Sequence, residues 1–242
     1  MSNRMIKTLK RLAAAALFAP ALAFGAAASV HLDRAPVSTD PASLQHGAKL
    51  FVNYCLNCHS ASFVRYNKLT EIGLSEDQIV DNLMFTGERV GDLMTIAMRP
   101  KESKSWFGAT PPDLSLIARQ RNSAAGSGAD WIYTYLRQFY RDPSRPTGWN
   151  NLVFENVGMP HVLWQLQGEQ VREGDTLKLV KPGLMTTQEY DKAVADLVSF
   201  LVWMGEPVAE KRHTIGIWVL VFLVVFTGLA YLLKKNYWKD IH

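Results

Sequence analysis

Cysteine is almost absent from this chain, which has two cysteines, Cys55 and Cys58, among 242 residues. A framework of structural disulfides is excluded unless this one closely spaced pair forms it. The central body also lacks an excess of charge. Seven of the 26 Lys and Arg and one of the 22 Asp and Glu lie in the first eleven or last nine residues, so the body between them is near −2. This balance argues against nucleic acid as a partner.

The beginning of the chain has the pattern of a targeting segment. Basic residues are followed by an apolar run over 12–24 and by Ala26-Ala27-Ala28, which resembles a cleavage site. We expect a secretory signal peptide over residues 1–28, because the apolar run is too short to span a bilayer comfortably as an uncleaved anchor.

The end of the chain contains a second, longer apolar run. Residues 214–233 include no charged side chain, and twenty residues match the hydrocarbon thickness of a membrane. We expect a transmembrane helix over 213–233 and a cytoplasmic tail over 234–242, with a buried soluble helix as the alternative. Together with the signal segment, this places a body of residues 29–212 on the periplasmic side of a bacterial inner membrane.

The two cysteines stand in a Cys-x-x-Cys-His pattern that ends at His59. This pattern is typical of covalent c-type haem attachment, with one thiol for each vinyl group and the histidine as an axial iron ligand. The alternative is a thiol–disulfide redox pair. Such a pair is expected in a βαβ unit, and no βαβ pattern is found here.

The rest of the body indicates helices separated by long loops. Asp40-Pro41 begins one helix leading into the cysteine motif, and Thr186 with Glu189 forms a capping box that begins another, ending at Gly205. We expect the two helices to cross at Gly47, where a small residue allows close approach. His46 is interpreted as a packing or surface residue, and 100–105 as a loop.

The second iron ligand is expected to be a methionine or a histidine. Met159 follows His59 by one hundred residues and lies between Gly158 and Pro160, in a segment without helical periodicity. A thioether in such a loop is suited to the distal side of a haem. His161 is the alternative at this point, whereas the remaining methionines of the body are interpreted as packing residues, namely Met84, Met94, Met98, Met185 and Met204.

These features together resemble the cytochrome c1 family, the haem-bearing subunits of the ubiquinol–cytochrome c reductase (bc1) complex, in a bacterial form. The resemblance covers most of the mature chain. Besides the haem motif it rests on Pro111-Pro112-Asp113-Leu114-Ser115 with Arg119 and Arg121 after it, on Gly158-Met159-Pro160, and on the run from Phe200 to Pro207 before a single apolar span.

The resemblance implies a mainly α fold: a cytochrome c-like haem-binding domain with long loops and one C-terminal transmembrane helix. It implies one haem c bound through Cys55 and Cys58, with His59 and Met159 as axial ligands. Arg121 is then expected to pair with a haem propionate, and Pro112 to pack beside the haem. No role is assigned to residues 162–186.

The function implied is electron transfer without chemistry on a substrate. Single electrons would pass from the Rieske iron–sulfur protein through the haem to a soluble or membrane-bound cytochrome c, as part of quinol oxidation coupled to proton translocation. Cytochrome b and the Rieske subunit are the expected partners, within a dimeric complex. The alternatives are a membrane-anchored cytochrome that feeds a terminal oxidase and an exported thiol–disulfide oxidoreductase.

Overall fold

The computed structural model describes residues 31–240, apart from the side chain of Glu210. The expected signal segment 1–28 lies outside the described residues. Helices dominate the described part of the chain, as the resemblance implied. In chain order they are α1 Pro41–Leu50, α2 Glu76–Asn82, α3 Pro100–Phe107, α4 Ile117–Gln120, α5 Gly128–Arg137, α6 Trp164–Gln167, α7 Thr187–Gly205 and α8 Ala209–Tyr237.

Strands are short and pair locally. Within residues 31–240 they form antiparallel two-stranded sheets, β1 with β2, β3 with β4, and β5 with β6. The longest is a hairpin in the stretch 162–186, to which the sequence assigned no role. The strands are β1 Ala61–Arg65, β2 Leu93–Met94, β3 Phe139–Arg141, β4 Trp149–Asn151, β5 Gly168–Glu173 and β6 Thr176–Pro182.

The scaffold is the crossing of α1 and α7. Asp40 caps α1 by accepting a hydrogen bond from the Ser43 amide, and Thr186 and Glu189 form the expected capping box of α7. At the crossing, a Cβ added to Gly47 would lie 2.1 Å from the carbonyl oxygen of Asp196. The expected close approach at Gly47 is therefore confirmed, because only glycine fits against the facing backbone.

The helix α1 continues into the cysteine motif as a π-helical turn, Phe51–Cys55. Such turns widen the helix locally and change the direction in which the following side chains point. Phe51 and Val52 are buried in the core, whereas Cys55 is only half-buried. The turn thus fixes the motif to the core and leaves both of its cysteines half-buried.

One local expectation was wrong. Residues 100–105 are helical, as the first part of α3, and not a loop. Pro100 occupies the start of the helix, where its missing amide proton is not needed, and Gly108 ends it with a φ of 75°. The polar side chains that suggested a loop mostly face solvent, as on any surface helix.

The last helix is longer than the apolar run that predicted it. It begins at Ala209 and ends at Tyr237, and Lys211–Tyr237 is long and apolar enough to cross a membrane. Its apolar side chains are exposed, as in Ile217, Phe222 and Leu229. An exposed apolar surface of this extent is unsuited to water and fits lipid or other membrane helices.

Candidate functional site

A cleft in the body collects every site residue that the sequence predicted. Cys55, Cys58, His59, Pro112, Arg121 and Met159 all line it. The other lining side chains are mostly apolar and come from α3, α4, α5, α7 and two loops; they include Phe107, Ile117, Ile132, Leu136, Val157, Leu197 and Leu201. The cleft is thus an apolar slot with sulfur and nitrogen donors on its walls.

His59 is oriented by a hydrogen bond to a backbone carbonyl. Its Nδ1 donates to the carbonyl oxygen of Pro112 at 2.7 Å, which fixes the tautomer and leaves Nε2 with a free lone pair. Burial lowers the pKa of His59, although the Pro112 carbonyl and Asp113 act in the opposite direction. A neutral imidazole held in this way is a suitable iron ligand.

The Pro112 carbonyl is itself held in place by the residues that follow it. The Asp113 carboxylate accepts hydrogen bonds from the Ser62 amide at 2.8 Å and the Ser115 amide at 2.8 Å. The Leu114 amide donates to the Ser60 carbonyl at 2.8 Å. The proline-rich block is therefore tied to the segment directly after His59.

The two thiols do not have the properties of an activated redox pair. Burial and the neighbouring Cys58 raise the pKa of Cys55 to about 12, and burial also raises the pKa of Cys58. Thiol–disulfide enzymes instead lower the pKa of the attacking cysteine, since the thiolate is the nucleophile. The structure therefore disfavours the oxidoreductase interpretation of this motif.

Met159 lines the same cleft from a different segment, a loop without regular structure. The hydroxyl of Tyr135 on α5 donates to its Sδ at 3.3 Å, a contact that the sequence did not reveal. The loop also packs closely on the end of α3, because a Cβ on Gly158 would lie 2.7 Å from the Phe107 carbonyl oxygen. The thioether is thus positioned by α3 and α5, both distant from it in sequence.

His161, the rival of Met159, points into the protein core. Its ring is 2% exposed, stacks on Phe139 at 4.8 Å between centroids, and lies edge-on to Trp149 at 5.0 Å. Burial lowers its pKa to about 4. It does not line the cleft, so the geometry favours Met159. His46 likewise lies elsewhere, where its Nδ1 contacts the Asp196 carboxylate at 2.8 Å.

Arg121 contributes positive charge to the cleft. Its guanidinium lies 4.4 Å above the ring centroid of Trp131, which holds it by a cation–π contact. Within residues 31–240 no carboxylate forms an ion pair with it. A guanidinium without a carboxylate partner at the edge of an apolar cleft is suited to an anionic group on a bound ligand.

The cleft meets the requirements of a c-type haem. Two thiols lie together in the cleft, and a neutral imidazole with a free Nε2 and a thioether line it as well. Apolar side chains cover the faces between them, and Arg121 provides a partner for a carboxylate. Fold and cleft together define a c-type cytochrome with one helix able to cross a membrane.

Comparisons with known proteins agree with this class. The model of the cytochrome C1 family matches residues 33–92 and 87–241. A cytochrome c1 of Allochromatium vinosum is 45% identical over 240 residues, covering 93% of this chain and 96% of that protein. The cytochrome c1 of Cereibacter sphaeroides is 28% identical over 279 residues, covering 98% and 97%.

A further relative has a different name. A Nitrosomonas europaea protein named as the gamma subunit of ammonia monooxygenase is 55% identical over 240 residues, covering 98% of this chain and 100% of that protein. The family match spans nearly all of the described body and the final helix. The chain belongs to the cytochrome c1 family, whose members carry covalently bound haem c.

Proposed function

We propose that this chain is the haem-bearing electron-transfer subunit of a bc1 complex. It would accept single electrons from a Rieske iron–sulfur protein and pass them to a soluble or membrane-bound cytochrome c, as part of quinol oxidation coupled to proton translocation. One observation carries the proposal. The Cys55–His59 motif and Met159, which are far apart in sequence, line one and the same apolar cleft.

Each cleft residue has a distinct task in this proposal. Cys55 and Cys58 would hold a haem through thioether bonds, and His59 and Met159 would ligate its iron. Arg121 would pair with a propionate, and Pro112 would pack beside the ring while its carbonyl orients His59. When bound, the haem supplies a one-electron iron couple, whose potential is raised by histidine–methionine ligation relative to a second imidazole.

The protein favours electron transfer by keeping these groups still. The Pro112 carbonyl prevents rotation of the His59 ring, and the Tyr135 hydroxyl restrains the Met159 sulfur. Apolar side chains from α5 and α7 exclude water from the cleft, which further favours the less charged, reduced state of the iron. No residue of the cleft is required to make or break a substrate bond.

The topology proposed for the chain follows from its two ends. With an exported body and a C-terminal anchor, the haem domain would lie on the periplasmic side and the last residues in the cytoplasm. The helix Lys211–Tyr237 supports the anchor, being long and apolar enough to cross a membrane. Cytochrome b and the Rieske protein would pack around it, in a complex that is itself dimeric.

Two other assignments would use the same cleft. A cytochrome anchored by one helix could deliver electrons to a terminal oxidase outside any bc1 complex. Because one relative is named as a subunit of ammonia monooxygenase, this chain could also deliver electrons to a monooxygenase. Both differ from the main proposal in the partner and not in the cofactor.

Partner and cofactor are tested in one preparation. The full chain is tagged and isolated from membranes in mild detergent, with Met159→Leu and Met185→Leu as matched variants. Met185 packs on the core and does not line the cleft. We expect cytochrome b and a Rieske protein to co-purify in every case, with quinol–cytochrome c reductase activity lost in Met159→Leu alone. Co-purification with an oxidase or a monooxygenase instead would contradict the proposal.

A further inference from the structure

Three apolar side chains outside the cleft are exposed on the body near the last helix. Phe63 in β1 is 75% exposed, Leu116 before α4 is 37% exposed, and Val208 before α8 is 50% exposed. They come from segments far apart in sequence, and neither the haem site nor the core uses them. We call these three residues the junction patch.

Backbone contacts bring the three segments together. The Phe63 amide donates to the hydroxyl of Ser115 at 3.1 Å, so β1 lies directly beside the segment that contains Leu116. The end of α7 packs on the same segment, because a Cβ on Gly205 would lie 3.6 Å from the Ser115 carbonyl oxygen. Val208 follows Gly205 by three residues. The three segments that carry the patch therefore lie next to one another.

This surface lies where the chain leaves the body for the membrane helix. Glu206 forms an ion pair with Arg119 of α4 at 3.3 Å and accepts a hydrogen bond from Arg212 of α8 at 2.5 Å. One carboxylate thus links the body to the first turns of α8, immediately beside the patch. The link also neutralises part of the charge at the junction.

We infer that the junction patch rests on the membrane, with Phe63, Leu116 and Val208 in the boundary between lipid headgroups and acyl chains. The inference depends on α8 crossing a membrane, as proposed above. The patch adjoins an apolar helix at the point where that helix would enter the bilayer. Aromatic and aliphatic side chains are favoured at this depth. The body would then lie on the membrane in one orientation.

A control surface exists at the other end of α7. Leu184 is 82% exposed, and its amide donates to the Gln165 carbonyl at 2.9 Å just before α7 begins. The nineteen residues of α7 separate it from the junction by about 28 Å along the helix axis. Leu184 is as apolar as the patch residues but does not adjoin α8.

The test uses spin labels on the full, haem-loaded chain in phosphatidylcholine nanodiscs, without other subunits. Phe63→Cys, Leu116→Cys and Leu184→Cys each introduce one thiol, and Cys55 and Cys58 do not react when both are thioethers. The native chain, which has no introduced cysteine, is the control for haem attachment. If it takes up spin label, Cys55 or Cys58 is a free thiol and haem attachment has failed, which is a different result from failure of the inference about the patch. Haem staining and absorbance show that each variant is folded.

The readout is collision of the label with oxygen, which enters lipid, and with a water-soluble nickel chelate, which does not. We expect labels at 63 and 116 to be at least several-fold less accessible to the chelate, relative to oxygen, than the label at 184. Equal accessibility at all three positions would overturn the inference. Protection that arises only in the assembled complex would also overturn it, since the patch would then bind a protein subunit.

Discussion

The two walls of the cleft are built in different ways. On one wall, Cys55, Cys58 and His59 follow one another within five residues, at the end of a π-helical turn that continues α1. On the other, Met159 lies in an irregular loop held by Phe107 of α3 and Tyr135 of α5. The first wall is specified by local sequence, whereas the second exists only because distant segments fold onto one another.

This difference explains what the sequence could and could not predict. The Cys-x-x-Cys-His spacing predicted three residues that line the cleft together, because their relative position depends on one turn of backbone. Met159 and His161 remained alternatives from the residues alone. Side chains two positions apart in a loop can have different surroundings, and the local sequence does not show which of them faces the cleft. Only the packing of His161 against Phe139 and Trp149 separates them.

The same distinction holds for the fold. Both capping sequences, at Asp40 and Thr186, correctly predicted helix starts, and Gly47 predicted the helix crossing. Residues 100–105 were wrongly expected to be a loop, since polar composition describes exposure rather than backbone conformation. The contacts of Asp113 and Tyr135 had no local signal, because their partners are 51 and 24 residues away.

The cysteine motif follows α1, which depends on one long-range contact, its crossing with α7 at Gly47. Disrupting this crossing has the largest expected effect. In Gly47→Val a Cβ would approach the Asp196 carbonyl oxygen, 2.1 Å away, and force α1 from α7. We expect the free energy of unfolding to fall by about 3 kcal/mol, measured by urea denaturation. Gly91→Val is the control, since nothing lies within 4 Å of its Cβ position; an equal loss there would contradict this account.

The next effect concerns the charge beside that crossing. Burial would raise the pKa of Asp196, but hydrogen bonds from His46, Lys192 and Ser43 lower it on balance. A lowered folded-state pKa stabilises the protein above the unfolded pKa, about 3.9, and this contribution disappears as pH falls through the folded value. Asp196→Asn should cost about 2 kcal/mol at neutral pH.

The measurement for Asp196 is unfolding free energy as a function of pH. The gap between the native chain and Asp196→Asn should narrow as pH falls below about 4. Asp175→Asn, on a carboxylate whose side chain is fully exposed, serves as the control. A gap that stays constant down to the acid limit would show that the Asp196 charge does not stabilise the crossing.

Disturbing the packing of the Met159 loop should displace Met159 and leave haem attachment unchanged. In Gly158→Ala the added Cβ would lie 2.7 Å from the Phe107 carbonyl oxygen, so the Met159 loop must shift. We expect a loss of about 1 kcal/mol in stability and a clear fall in reduction potential, while haem staining stays normal. Potentiometric titration against Gly91→Ala measures this. An unchanged potential would mean that the loop does not position the second ligand.

The smallest expected effect concerns the hydrogen bond from the Tyr135 hydroxyl to the Met159 sulfur. Tyr135→Phe removes the hydroxyl that donates to the Met159 sulfur and leaves the ring in place. The sulfur then becomes a stronger donor and favours oxidised iron, so the potential should fall by roughly 20–40 mV. Tyr190→Phe is the control, because its hydroxyl donates to the Leu136 carbonyl away from the iron ligands. A similar shift in both variants would contradict the explanation.

The central claim is that the two walls meet on one iron atom, with His59 on one side and Met159 on the other. X-ray absorption at the iron edge of the purified, haem-loaded chain tests it most directly. The account predicts one sulfur neighbour in the first shell of the native chain and of Met185→Leu, and none in Met159→Leu. A first shell of nitrogen alone in the native chain, or sulfur that persists in Met159→Leu, would contradict it.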